Sequence, residues 1–139
     1  MTFHDLPTNL RDLPLDDPTL RADAVDLFVT HADRESGCLA LVVLDDQHRV
    51  TAPVVINEMG PAEPDRLRDA LRTVLDHLRP VVLVVAIGRS GSPLFTDVDR
   101  ACHQVVVDVC RELRVELLGT FVASDNAVRE LPDHLRMAS

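Results

Sequence analysis

Leu20, Ala24, Leu27, Phe28 and His31 recur at helical spacing, which predicts a helix over 18–32. Asp17 followed by Pro18 supplies its start, a side-chain cap and then a residue whose missing N–H costs nothing in the first turn. The period then changes. Glu35-Ser36-Gly37 opens an apolar run over 38–44, Asp45-Asp46-Gln47-His48 makes a turn, and 49–56 returns as a second run. Together these predict a β-hairpin. Pro53 has no N–H to give to a ladder, so its strand is expected at a sheet edge or at a bulge.

Helical spacing resumes after Glu63-Pro64, with Leu67, Ala70, Leu71, Val74, Leu75 and Leu78 on one stripe. The other face alternates in sign through Asp65, Arg68, Asp69, Arg72, Asp76 and Arg79, as a solvated face does. The unbroken apolar run 81–87 predicts a central strand buried on both faces. A third helix over 97–114 follows, with Val98, Cys102, Val105, Val106, Val109, Cys110 and Leu113 on its stripe. A strand over 115–123, a turn at 124–126 and a short strand over 127–131 complete the pattern. Strands joined through helices imply an α/β fold of three layers, a mixed sheet between helices. Residues 1–17 read as an extended lead-in, 18–131 as one domain and 132–139 as a loosely held tail.

The length of 139 residues suits a single domain with its own core. The net charge is −9 and all 14 basic residues are Arg. That balance repels phosphate backbones and anionic lipid, which argues against nucleic-acid and membrane-surface partners. No apolar run approaches the roughly 18 residues of a membrane span, and the start of the chain has no signal-peptide pattern. Cys38, Cys102 and Cys110 are sparse and form no Cys-x-x-Cys pair, which fits a reducing cytoplasm. The expectation is a soluble cytoplasmic domain.

Local motifs for chemistry are few. The cysteines fall on apolar runs, where free Cys behaves as a small hydrophobe. None of the six histidines is placed with another at i, i+4 or His-x-His spacing, which disfavours zinc; Asp99 and His103 are one helical turn apart. The segment Gly88-Arg89-Ser90-Gly91-Ser92-Pro93 lies just beyond the most apolar strand, where ligand crevices open in α/β sheets. It lacks the second Gly of a Gly-x-Ser-x-Gly elbow, since position 92 is Ser, and the Lys-Ser/Thr of a phosphate loop. Arg89, Ser90, Ser92 and the start of the third helix nonetheless make it a candidate anion-binding loop.

The same segment carries a resemblance. From Glu35 to Leu131 the chain resembles the RadC-type branch of the JAB/MPN metallopeptidase-like family. That family has a hairpin, a helix, a buried strand, and then a His-x-His-Pro-Ser-Gly-x-Pro-x-Pro-Ser-x-x-Asp loop leading into a helix. Ser90, Gly91, Pro93 and Asp99 match that loop in frame, and Thr96 replaces its second Ser. Leu117-Leu118-Gly119-Thr120 falls where the family has Leu-Leu-Asp-His, and Val43-Leu44-Asp45 and 66–71 also look like their counterparts. The resemblance implies the JAB/MPN-like, cytidine deaminase-like superfold. It also implies a lost metal site. Ala86 and Gly88 stand where the family has its two metal-binding His, Asp99 would be one ligand of three, and Glu35 stands near the general-base position.

The reading is therefore a non-catalytic JAB/MPN-like module with no catalytic residue, metal or cofactor, which works by binding another protein or a second copy of itself. Gly88, Arg89, Ser90, Ser92, Thr96, Asp99 and Glu35 line its vestigial cleft. The alternatives are a small-molecule or anion-binding domain using the 88–92 loop and, ranked last, an active hydrolase. Asp99 is expected at the helix N-terminus, in a Thr-x-x-Asp capping box with Thr96.

Overall fold

The computed structural model describes residues 14–132. Its elements are α1 (Pro18–Phe28), α2 (His31–Ser36), β1 (Cys38–Leu44), β2 (Val50–Ile56), α3 (Pro64–Leu78), β3 (Val82–Gly88), α4 (Asp97–Glu112), β4 (Glu116–Ala123) and β5 (Val128–Glu130). The strands form one mixed sheet in the order β2-β1-β3-β4-β5. β1 runs antiparallel to both β2 and β3, β3 and β4 are parallel, and β5 returns antiparallel to β4. Two connections are crossovers: α4 joins the parallel neighbours β3 and β4, and α3 carries the chain from β2 past β1 to β3.

The sheet is covered on both faces. Ala40, Val42, Val84, Ala86 and Phe121 pack with Ala24, Val25 and Phe28 of α1. Their sequence neighbours Leu39, Leu41, Leu83, Val85 and Ile87 pack with Leu67 and Leu71 of α3 and Val106 and Val109 of α4. Every residue of β3 is buried, as an unbroken apolar run requires, but Val81, the first residue of the expected run, precedes the strand and is 61% exposed. The three-layer α/β arrangement with a mixed sheet is the one expected. β2 is an edge strand, and its pairing with β1 is irregular between Val43 and Leu44. Both features suit Pro53, two residues from that irregularity. Asp17 caps α1 by accepting from the Thr19 N–H at 2.7 Å, with Pro18 in the first turn.

Several expectations are corrected. The helix expected over 18–32 ends at Phe28, because Val29 is extended and Thr30 starts α2 with its own capping box to Asp33. Glu35 and Ser36 belong to that helix rather than to a strand opening, and Gly37 ends it at φ +83°. Leu78 and Val98, both assigned to apolar stripes, are 42% and 43% exposed. The lead-in reaches the core, since Leu15 is fully buried and its N–H donates to the His48 carbonyl at 2.8 Å. The expectations for 1–13 and for the tail over 133–139 lie outside the described residues. Among the described residues, no helix is long and apolar enough to cross a membrane.

Candidate functional site

At the carboxyl end of β3 the chain leaves the sheet through Gly88 and enters the loop 89–96, which delivers it to the start of α4. Opposite stand the end of α2 and the Gly60-Pro61-Ala62 turn ahead of α3. These two backbones are tied: the Met59 N–H donates to the Gly37 carbonyl and the Gly60 N–H to the Ser36 carbonyl, each at 2.9 Å. A cavity of about 330 Å³ lies between them, lined by Glu35, Arg89, Ser90, Thr96 and Asp99 among others. Five of the seven predicted residues thus converge. Gly88 is buried below them and Ser92 is not in the lining.

Arg89 and Asp99 dominate the site. Arg89 Nε donates to Asp99 Oδ1 at 3.0 Å and Nη2 to Oδ2 at 2.8 Å, a bidentate ion pair. The remaining guanidinium N–H groups reach the carbonyls of Ser90 (3.2 Å), Ser92 (2.7 Å) and Leu94 (3.0 Å). All five donors are therefore engaged within the loop, and the guanidinium serves as its centrepiece. The donor expected to meet an anion is committed to the chain itself. The loop's backbone is committed too: the Gly91 N–H donates to Asp125 Oδ2 at 3.0 Å, and the Leu94 N–H to Ser92 Oγ at 3.1 Å.

Asp99 is fully buried. Its own N–H donates to Thr96 Oγ1 at 3.0 Å, and its Oδ2 accepts the Thr96 N–H at 2.9 Å, so the expected capping box is present. Burial pushes the Asp99 carboxyl up, but the hydrogen bonds from Arg89 and Thr96 and the Arg89 charge outweigh it. The net effect holds the group below the usual carboxylate range. His103, one turn along, is also buried, and the Asp99 carboxylate is held by Arg89.

The two positions aligned with metal-binding His are closed. Ala86 is fully buried in the α1-side core. A Cβ on Gly88 would collide with Cys38 Sγ, and Val29 Cγ1 stands 3.4 Å from the same point. Both Asp99 oxygens already have partners, and no three His, Cys, Asp or Glu side chains converge among the described residues. These donors do not fit a catalytic metal ion. The thiols are no substitute: burial, assisted by the Asp33 charge, raises Cys38 to about 11, and burial raises Cys102 to about 11 and Cys110 to about 12.

Arg34 also builds the site, with nothing in the local sequence to mark it. It is 3% exposed, and it donates to the Val29 carbonyl through Nε (3.1 Å) and Nη2 (2.9 Å), to the Ser124 carbonyl (3.1 Å) and to Asp26 Oδ1 (2.9 Å). It thereby joins the end of α1 to the turn after β4, forming the rear wall of the cavity. A partner ninety positions away leaves no local signal. No protein-family model matches the chain, and no curated protein matches it.

Proposed function

We propose that the chain is a non-catalytic JAB/MPN-like domain that acts by binding another protein or a second copy of itself. The observation that carries the reading is the Arg89–Asp99 pair. The one carboxylate retained from the family's ligand set is held by a guanidinium, a fixed cation that has no open coordination position and activates no water. The order hairpin, helix, buried strand, loop, helix, strand supports the same reading, because it is the order the resemblance implies. Surface features favour contact with a partner. Among the described residues β2 is an edge strand paired on one side, and Leu94 (69% exposed) and Val98 (43%) stand on the loop and helix beside the cavity.

The test has two arms. Thermal unfolding with added Zn²⁺ or Mn²⁺ is expected to leave the melting temperature of the wild type unchanged. A rise in wild type that is absent in Asp99→Ala overturns the metal-free reading. Sedimentation across a concentration series is expected to show a species heavier than the 15.4 kDa chain. A monomer at every concentration removes the self-association part.

A further inference from the structure

The two edges of the sheet are unlike. β5 is three residues long and carries Arg129 and Glu130, the kind of short, charged edge that resists pairing with another chain. β2 is seven residues long and carries no charged side chain from Val50 to Ile56. Among the described residues it pairs on one side only, with β1. Its apolar side chains are half covered on both faces of the sheet, Val55 on the α1 face and Val54 and Ile56 on the α3–α4 face. Its one polar side chain, Thr51, turns its hydroxyl to the Val43 carbonyl of β1 at 3.1 Å. Pro53 removes a single donor and leaves the other rungs. The nearest charges stand at the two ends, Arg49 before the strand and Glu58 after it, both exposed.

We propose, building on the reading of the chain as a module that binds a second copy of itself, that this edge pairs antiparallel with the β2 edge of that copy and joins the two sheets into one. The end charges choose the orientation. A two-fold axis through the middle of the strand sets the Arg49 end of one copy beside the Glu58 end of the other, twice over, whereas parallel pairing sets like ends together. The half-covered apolar side chains of each copy then continue both faces of the other's core. Because the same patch serves both copies, the contact closes as a dimer and leaves the charged β5 edges outside.

The test follows sedimentation of the full chain across a concentration series, with charge reversals at the strand ends. Wild type is expected to dimerise. Arg49→Glu and Glu58→Arg should each raise the dissociation constant about tenfold, since either change turns two attractions into two repulsions. The two reversals together should recover most of the wild-type affinity, which loss of fold in a single variant cannot imitate. Val54→Lys sets like charges near the axis and should leave a monomer with unchanged far-UV circular dichroism. Amide exchange over 51–56 should slow as concentration rises. A dimer that tolerates Val54→Lys and both single reversals overturns the β2 edge while leaving a self-binding module standing. Failure of the double reversal to recover affinity overturns the antiparallel orientation. A wild type that stays monomeric overturns both the edge and the self-binding reading. Exchange over 51–56 that is slow at every concentration means that a segment of the same chain covers the edge, and overturns the pairing too.

Discussion

Arg89 and Asp99, ten positions apart, meet edge to edge across the loop between β3 and α4 through two parallel N–H···O bonds. Asp99 therefore does more than cap a helix. Loss of a cap alone costs about 0.5–2 kcal/mol. Removing one member of a buried ion pair also strands its partner, so Asp99→Ala is expected to cost about 3 kcal/mol. Thr96→Ala, which removes only a capping acceptor, should cost about 1 kcal/mol. Urea unfolding of both variants, with Arg89→Ala and the double variant to complete the cycle, measures the coupling. Equal losses for Thr96→Ala and Asp99→Ala would sink the idea.

Acid stability should carry the signature of the same carboxylate. Asp99 is held below its ordinary range in the folded state, so its contribution is fully present above its unfolded value, near 4, and is lost as pH falls through the depressed folded one. Asp99→Asn keeps an acceptor for the Thr96 N–H and removes the charge. Its stability is expected to decline less steeply than that of wild type below about pH 4, where unfolding curves at stepped pH compare the two.

His48 works in the opposite sense. Its Nδ1 lies 2.5 Å from Asp16 Oδ1 and its Nε2 3.5 Å from Glu116 Oε2, tying the segment before α1 to the hairpin turn and the start of β4. The hydrogen bond to Asp16 leads in raising its pKa, and the charges of Asp16 and Glu116 add to it against desolvation. A raised histidine contributes fully below its unfolded value, about 6.5, and the contribution fades as pH climbs through the folded one. Wild type is expected to lose more stability than His48→Gln between pH 6 and pH 8. Parallel urea midpoints decide it.

Gly37 and Gly60 offer a paired test of backbone crowding. Both have positive φ, +83° and +72°. A Cβ on Gly37 would run into the Gly60 carbonyl, whereas one on Gly60 would find only Arg66 Nη1, 3.7 Å away. Gly37→Ala combines strain with a collision that backbone cannot relieve, at about 2–4 kcal/mol, and Gly60→Ala should cost about 1 kcal/mol. Similar losses in chemical denaturation would contradict the packing described.

The closed position at residue 88 predicts a compensating pair. Gly88→Ala is expected to destabilise by about 1–3 kcal/mol because Cys38 Sγ occupies the space. Cys38→Ala clears it. The double variant should be more stable than the sum of the single losses implies, by a coupling of at least about 0.5 kcal/mol. Strict additivity would show that the thiol is not what fills the site.

The sequence by itself determined the elements and their faces. The unbroken apolar runs 38–44 and 81–87 mark buried strands, and Asp17-Pro18 and Thr96-x-x-Asp99 mark helix starts. These signals are legible because periodicity and capping act within a few residues. The break at Val29 was legible too, through Thr30-x-x-Asp33, but the apolar spacing across it resembles one continuous helix. Position 88 as Gly, and Asp99 in its box, were likewise readable. Tertiary structure alone decided that Arg89 faces Asp99 instead of a ligand, that Cys38 fills the place beside Gly88, and that Arg34 reaches Ser124. A charged side chain at a loop has the same local pattern whether it turns outward or inward. Which acceptors it meets depends on where distant backbones come to rest once the sheet has closed, and no local rule contains that geometry.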